Sequence, residues 1–167
     1  AVLSDDWTIE LIASDPELVT PISCRFDSKG RLFVVESHTH FPPDQYSGPT
    51  TDRIYVFDDS DGDGRLDRQR LFYEGGKATM GLEVLADGWV LVATRDAITR
   101  IRDSDGDDVA DVTEVLIRHE TSATYPHNGL GGLAISSDGD IYFGQGENLG
   151  EPYTIVGRDG SRQIGGG

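Results

Sequence analysis

The sequence predicts an all-β fold, and within that class a β-propeller. Short runs of apolar, β-branched and aromatic residues recur along the chain, and no stretch has convincing helical periodicity. Glycine-containing turns precede three of these runs, and the turn glycines Gly30, Gly88 and Gly139 lie 58 and 51 residues apart. Units of about four strands that repeat at roughly 40–60 residues are typical of propeller blades.

The three turns divide the chain into three predicted units. In each turn, glycine supplies the positive φ that a tight hairpin needs, and the apolar run behind it predicts a buried strand. These turn-strand segments span residues 27–35, 87–93 and 138–143, and the approximate blades span residues 1–75, 76–120 and 121–167.

Further short strands are predicted around each turn. Residues 80–85 and 132–135 precede the second and third turns and are expected to pair with the strands behind them. Residues 53–57 and 97–101 lead into aspartate-rich loops, and residues 71–73 and 115–117 follow those loops. Propellers close with about four to eight blades, so about three blades predict a fragment that another chain or the rest of a longer chain completes. A sandwich of short strands is the alternative.

The composition excludes several kinds of partner. The 30 acidic and 14 basic residues give a net charge of −16, which argues against binding to nucleic acid or to an anionic membrane surface. Cys24 is the single cysteine, so the sequence contains no intrachain disulfide, thiolate zinc site or c-type haem motif. The sequence has no run of about 18 apolar residues and therefore predicts no membrane-spanning helix. We expect the chain, which starts at Ala1, to be a piece of a longer protein.

The first aspartate-rich loop, residues 59–67, has the composition of a calcium site. Its carboxylates fall at loop positions 1, 3, 5 and 9, and alternating aspartates on a tightly curled loop can point inward together. Ca²⁺ takes about six to eight oxygen ligands, and the backbone carbonyl at position 7 adds another. Gly64, at position 6, allows the sharp turn. The predicted ligands are Asp59, Asp61, Asp63, the carbonyl of Arg65, and Asp67.

The second loop, residues 103–111, repeats these carboxylate positions. Asp108 replaces the glycine at position 6, and aspartate enters the left-handed region at a higher cost than glycine, so we expect weaker binding. Glu114 stands at position 12, where an EF-hand has its bidentate glutamate, and this favours binding. The predicted ligands are Asp103, Asp105, Asp107, the carbonyl of Val109, and Asp111.

Strand-like sequence flanks both loops, in place of the helices of an EF-hand. We therefore predict two calcium sites that each close a β-hairpin, similar to the nine-residue loops of integrin-type propellers. The alternative is a pair of acidic hairpin ends that are simply solvated.

A histidine and a glutamate frame the third turn-strand segment. His127 stands before it and Glu147 directly after it, and in a propeller blade these two positions can reach one axial cavity. An imidazole that a carboxylate orients is a suitable base for taking a hydroxyl proton near neutral pH. His-Asn-Gly is also a serviceable turn, so a structural role for His127 is the alternative.

Residues 127–147 resemble a blade of the soluble quinoprotein glucose and sorbosone dehydrogenases. The resemblance implies a six-bladed propeller in which the histidine takes the substrate hydroxyl proton while a hydride passes to pyrroloquinoline quinone. In that family an aspartate steadies the histidine, whereas this sequence has Glu147 there and one extra residue before the turn. The matching residues are His127, Asn128, Gly129, Asp138, Gly139, Ile141, Tyr142, Gly146 and Glu147.

Nearly the whole chain resembles the N-terminal region of the planctomycete-type membrane-bound dehydrogenases. In those large proteins such a propeller precedes helical repeats and a C-terminal c-type haem domain. The resemblance therefore implies a haem domain, elsewhere in the parent chain, that receives the electrons. It rests on residues 7–13, the strand at residues 33–36 and both aspartate loops.

Other polar residues near strand ends are candidates for the substrate pocket. Arg95 suits an anionic cofactor or substrate, and its alternative is a surface ion pair. His38 and His40 form a His-x-His pair that can hold a transition metal, with a solvated loop as the alternative. The pocket candidates are Glu36, His38, Arg95 and Asn128. The aromatic residues predicted for the core are Trp7, Trp89, Tyr142 and Phe143.

The sequence supports two functions. The first is a calcium-binding propeller segment of a pyrroloquinoline quinone-dependent sugar or alcohol dehydrogenase. The second is a non-catalytic, calcium-stabilised extracellular binding or scaffold module. Millimolar extracellular calcium suits loops of modest affinity, so both predict a periplasmic or cell-surface location. The exposed edges of an incomplete propeller also predict self-association.

Overall fold

The computed structural model describes residues 7–124 and 127–166. Within these residues the chain forms twelve strands in three antiparallel sheets and no helix, which confirms the all-β prediction. This described part accordingly contains no helix that is long and apolar enough to cross a membrane. The strands are β1 (Pro21–Phe26), β2 (Leu32–Glu36), β3 (Arg53–Asp58), β4 (Arg68–Glu74), β5 (Gly81–Val84), β6 (Val90–Ala93), β7 (Ala97–Arg102), β8 (Val112–Thr121), β9 (Leu130–Ile135), β10 (Ile141–Gln145), β11 (Tyr153–Gly157) and β12 (Arg162–Gly165).

The first sheet is a meander with the strand order β1-β2-β3-β4. Val34 of β2 lies opposite Cys24 of β1 and Tyr55 of β3. Side chains alternate between the two faces of a strand. Neighbouring residues of β2, such as Leu32 and Phe33, therefore join different hydrophobic clusters.

The second sheet has six strands in the order β12-β11-β8-β7-β6-β5, and β9 and β10 pair in a sheet of two strands. Strands β5 to β8 form a meander like the first sheet. Strand β8 has ten residues and pairs with β7 on one side and with β11 on the other. The structure thus distributes the last four strands over two sheets, whereas the sequence predicts a third four-stranded unit.

The three glycine turns are confirmed as hairpin turns. Gly30, Gly88 and Gly139 have φ of +80°, +87° and +88°, in the left-handed region that glycine occupies without a Cβ clash. A fourth turn of this kind joins β11 to β12, where Gly160 has φ of +84°. Asp159-Gly160 carries the same Asp-Gly signal as two of the predicted turns, and sequence reasoning missed it.

Hydrophobic clusters cover both faces of the second sheet at β6 and β7. On one face Val90 of β6 joins Phe33 and Phe72 of the first sheet. On the other face Leu91 of β6 joins Leu130 of β9. All four residues of β6 are buried, because consecutive side chains enter clusters on opposite faces. The second sheet is therefore a middle layer between the first sheet and the β9–β10 hairpin.

The first strands of three successive hairpins lie side by side. Strand β1 contacts β5, and β5 contacts β9. Across the first of these boundaries, Arg25 Nε lies 3.0 Å from a carboxylate oxygen of Glu83. The groups β1–β4, β5–β8 and β9–β10 therefore follow one another in space as they do in the sequence, and β5 lies between β1 and β9.

The aromatic residues predicted for the core have different positions. Trp89 is buried, and Phe143 is half-buried against the cluster that contains Leu91. Trp7 and Tyr142 are 72% and 61% exposed, so the prediction is wrong for these two residues. Trp7 precedes the first strand, and Tyr142 points away from the cluster because its neighbours in β10 point toward it.

Candidate functional site

The first aspartate loop joins β3 to β4 and brings three carboxylates together. Ligand oxygens of Asp59, Asp61 and Asp63 all lie within 4.8 Å of one another. Asp59 is half-buried and the other two are exposed, so the group opens to solvent. Three acidic oxygens at this spacing suit one divalent cation, since each can supply a ligand atom.

Backbone N–H groups curl this loop around its first aspartate. Gly62 N and Gly64 N donate to Asp59 at 2.6 and 2.8 Å, and Arg65 N donates to Asp63 at 2.8 Å. The hydrogen bond from Gly64 is the main cause that lowers the pKa of Asp59. Gly64 has φ of +89°, which a residue with a Cβ adopts only at a cost. Asp59 is therefore held ionised at neutral pH in a loop shape that its glycine permits.

The aspartate at loop position 9 is held differently from the other three. The two oxygens of Asp67 accept hydrogen bonds from the N–H and the hydroxyl of Ser60, each at 2.8 Å. The Ser60 N–H lowers the pKa of Asp67, and the nearby charge of Asp59 acts in the opposite direction. Asp67 therefore ties the end of the loop to its start and lies beside the group of three carboxylates.

The second loop, between β7 and β8, has the same arrangement. Both oxygens of Asp111 accept hydrogen bonds from Ser104, at 2.8 and 2.5 Å. Burial acts to raise the pKa of Asp103, but backbone hydrogen bonds, the largest from Gly106, lower it below its ordinary value. The residues whose carboxylate oxygens lie within 4.8 Å of one another are Asp103, Asp105 and Asp107.

Asp108, which replaces the loop glycine, joins the second loop to the first sheet. Its φ of +66° lies in the left-handed region, as the sequence predicts. Arg31 and Arg70 both bind its carboxylate, at 2.8 and 2.5 Å. Ala110 N also donates to Phe72 O at 2.7 Å. We call Asp108, Arg31 and Arg70 the Asp108 clamp, a contact between repeat units that sequence reasoning missed.

Glu114, whose loop position 12 favours the second site in the sequence, forms ion pairs within the second sheet. Its carboxylate lies 2.7 Å from Arg100 Nη2 and 2.6 Å from Arg158 Nη1. The hydrogen bond from Arg100 lowers the pKa of Glu114. Glu114 belongs to strand β8 and not to the group of three carboxylates.

The segments that carry His127 and Glu147 lie side by side at one end of the β9–β10 hairpin. Gly146 N donates to Gly129 O at 3.0 Å. A Cβ on Gly146 would lie 1.5 Å from the carbonyl oxygen of His127, so only glycine fits there. Both candidate catalytic residues are exposed. His127 lines a cavity of about 270 Å³ together with Met80 and several glycines, and Glu147 lines the neighbouring concave surface.

The loop after β2 brings a second imidazole to His127. The ring centroids of His40 and His127 are 5.4 Å apart, and their planes are inclined by 47°. His38 is engaged elsewhere: its Nε2 lies 2.7 Å from a Glu36 oxygen and its Nδ1 lies 2.5 Å from the Tyr46 hydroxyl. The structure therefore places His40 against His127, whereas the sequence suggested a pair of His38 and His40.

The remaining pocket candidates, Glu36, Asn128 and Arg95, form hydrogen bonds with backbone groups of other segments. Glu36 is buried and accepts a hydrogen bond from Val19 N at 2.8 Å. Asn128 is fully buried and donates to Ala123 O at 2.9 Å, and Arg95 donates to the same carbonyl at 3.1 Å. Arg95 and Asn128 therefore share one backbone acceptor, the carbonyl of Ala123.

Asp52 is a buried carboxylate that the sequence analysis did not single out. It accepts hydrogen bonds from His38 N, Thr39 N and Thr79 N at 2.7, 2.9 and 2.8 Å. Burial acts to raise the pKa of Asp52, but these hydrogen bonds, with Thr79 first, lower it overall. An isolated Thr-Asp before a strand gives no sequence signal for this role, because its donors come from two other segments, at residues 38–39 and at residue 79.

The fold and the paired loops together define an all-β protein with two aspartate-rich hairpin loops, each able to hold a divalent cation. The chain belongs to the family described as "Domain of unknown function (DUF7133)", whose profile matches residues 2–167. No curated protein sequence matches the chain.

Proposed function

We propose that this chain is a calcium-binding β-propeller segment, in which two Ca²⁺ ions stiffen the hairpin ends between β3 and β4 and between β7 and β8. The observation that carries the proposal is the group of three carboxylates within 4.8 Å in each loop. Like charges at this spacing repel one another, and a shared divalent cation removes the repulsion.

The donor set favours calcium over transition metals. All side-chain donors of the two groups are carboxylate oxygens, and neither loop contains the histidine or cysteine that zinc and copper prefer. The carbonyls of Arg65 and Val109 and water molecules can complete the about six to eight oxygens that Ca²⁺ takes. The proposal includes a periplasmic or cell-surface location, where calcium is abundant enough for modest-affinity loops.

Two features support a propeller over a sandwich. The neighbouring positions of β1, β5 and β9 match the inner strands of successive blades, which surround a central channel. Strands β6 and β7 of the second sheet are covered on both faces, as in a blade between two blades, whereas each sheet of a two-layer sandwich has one solvent face. A closed ring then needs further blades from a parent chain or from a second copy.

Chelation of calcium is expected to lower the melting temperature, and added calcium to restore it. At a free calcium concentration of about ten times Kd, each site stabilises the fold by about 1.4 kcal/mol. For a domain of this size that corresponds to about 3–6 °C. Calorimetric scans with EDTA and with calcium measure the shift.

Site variants separate calcium binding from a general effect of EDTA. Asp61→Asn and Asp105→Asn each remove one carboxylate from one group and are expected to reduce the calcium-dependent shift. Asp138→Asn is the matched control, because Asp138 is an exposed turn residue that belongs to neither group. Equal scans of the wild type with EDTA and with calcium contradict the proposal.

A dehydrogenase site at His127 is the second candidate function. It is favoured by the close approach of residues 127–129 and 145–147 beside a cavity. In this role His127 takes the hydroxyl proton of a sugar or alcohol, and Glu147 orients the imidazole.

The cavity beside His127 does not by itself fit pyrroloquinoline quinone. The quinone is a polyanion, whereas the lining consists of Met80, His127, Leu130, Gln145 and glycines. The volume of about 270 Å³ is also below the about 300–1,000 Å³ typical of ligand pockets. Arg95, the predicted anion-binding residue, donates instead to Ala123 O. The dehydrogenase candidate therefore needs cationic residues from other blades of a parent protein, with its haem domain as electron acceptor.

Quinone-dependent dye reduction by the parent protein, with sugars and alcohols as substrates, tests this candidate. The His127→Ala variant is expected to lose turnover by about 100-fold or more, as the removal of a general base does, with its calcium content unchanged. Full turnover in that variant, or no quinone binding by the parent protein, leaves the non-catalytic scaffold module as the function.

A further inference from the structure

We propose that His40 and His127 together form a binding site for a transition-metal ion such as Zn²⁺, Ni²⁺ or Cu²⁺. This site is separate from the two aspartate loops and combines the loop after β2 with the segment before β9. The observation that carries it is the 5.4 Å separation of the two ring centroids.

This separation matches shared coordination of one ion. Two imidazoles that bind one tetrahedral ion through bonds of about 2.0–2.1 Å have ring centres about 5 Å apart. The 47° inclination of the planes is compatible with two nitrogens that converge on one point. Aromatic rings that only pack together also lie about 4.5–7 Å apart, so the experiment must separate coordination from packing.

The loop that carries His40 is held by a buried anion. Asp52, 1% exposed, accepts the N–H groups of His38 and Thr39 at 2.7 and 2.9 Å. The hydroxyl of Thr39 also binds Asp52 at 2.8 Å and accepts a hydrogen bond from Ala78 N. The backbone next to His40 is therefore fixed before any ion arrives, which lowers the entropy cost of binding.

The segment that carries His127 is fixed as firmly. Asn128, its neighbour, is fully buried and donates to Ala123 O at 2.9 Å. Gly146 N also donates to the carbonyl of Gly129, two residues after His127, at 3.0 Å. Two imidazoles on restrained backbones form a preorganised bidentate site.

The histidine site and the calcium loops prefer different metal ions, because their ligand atoms differ. Imidazole nitrogen suits zinc, copper and nickel, whereas calcium takes oxygen ligands. His127 is exposed and His40 half-buried, so solvent can reach a bound ion and supply its remaining ligands as water. The net charge of −16 also attracts cations to the protein. An ion at this site would prevent His127 from acting as the base of the dehydrogenase candidate, while calcium binding in the aspartate loops is independent of it.

Titration of the calcium-loaded protein with Zn²⁺ or Ni²⁺ by isothermal calorimetry tests the site. One ion is expected to bind, and His40→Ala and His127→Ala are each expected to weaken binding by about tenfold or more. His38→Gln is the matched control, because His38 is engaged by Glu36 and Tyr46, and it is expected to bind as the wild type does. Wild-type affinity in His127→Ala, or an equal loss in His38→Gln, overturns the proposal.

A second measurement uses the wild-type protein, so its result does not depend on whether a variant folds. The chain has four histidines, and their ring signals can be followed by NMR during titration with paramagnetic Ni²⁺. Broadening of the His40 and His127 signals before those of His38 and His119 supports the site. Uniform broadening of all four, or none, shows that the two rings only pack together.

Discussion

Replacement of Asp52 by asparagine is expected to lower the free energy of unfolding by about 3 kcal/mol, because it disrupts a buried, charged hydrogen-bond network. Asp52 is 1% exposed and accepts three backbone N–H groups and the Thr39 hydroxyl. Asparagine keeps the shape but puts an NH₂ group where one oxygen accepted hydrogen bonds. Urea unfolding of the two proteins at neutral pH measures the difference.

The exposed Asp44→Asn variant is the control for a change of one charge, and it is expected to unfold as the wild type does.

Unfolding at acidic pH provides an independent test of the role of Asp52. The pKa of Asp52 is lowered from 3.8 in the folded protein, so its stabilising contribution is complete above pH 3.8 and is lost as the pH falls below that value. The Asn variant is expected to lack this part of the acid sensitivity. A stability difference below about 1 kcal/mol at neutral pH would refute the role of Asp52 as an anchor.

The parts of the fold that the sequence predicted are those set by neighbouring residues. A turn glycine must accept positive φ, and Gly30, Gly88 and Gly139 do so. The aspartate loops are also local: donors and acceptors lie within seven residues of each other, so spacing alone predicts that carboxylates 1, 3 and 5 converge.

Pairing between distant segments could not be predicted in the same way. Strand β11 pairs with β8, and the turn at Asp159-Gly160 does not determine which edge its hairpin joins. The exposure of Tyr142 depends on whether another layer covers its face of β10, and strand composition does not contain that information.

In the candidate sites, too, the contacts between distant segments could not be predicted from the sequence. Arg31 and Asp108 are 77 residues apart in the sequence, so the Asp108 clamp depends on how the first two groups of strands pack. The approach of His40 to His127 likewise depends on how the loop after β2 meets the start of β9. The sequence did identify both histidines as candidates, but it placed His40 with His38, two residues away, because only short spacing is visible in a sequence.

Replacement of Asp108 by asparagine is expected to destabilise the protein by about 2 kcal/mol, because it removes the charge that the Arg31 and Arg70 guanidinium groups share. The three side chains are only 24–28% exposed, so solvent screens this interaction less than it screens a surface ion pair. Asparagine tolerates the left-handed φ of this position about as well as aspartate, so the variant isolates the charge. A double-mutant cycle with Arg70→Ala, read by urea unfolding, measures the coupling.

The first loop supplies the matched control. Gly64 occupies the position equivalent to Asp108, and no atom lies within 4 Å of a Cβ placed there. Gly64→Asp therefore adds the strain of an aspartate at positive φ without a partner, and is expected to cost about 1–2 kcal/mol. Asp108→Gly removes that strain together with the clamp, so its stability should lie above that of Asp108→Asn. If the cycle with Arg70→Ala gives no coupling, the second loop does not join the repeat units through Asp108, and its aspartate is only a costly substitute for glycine.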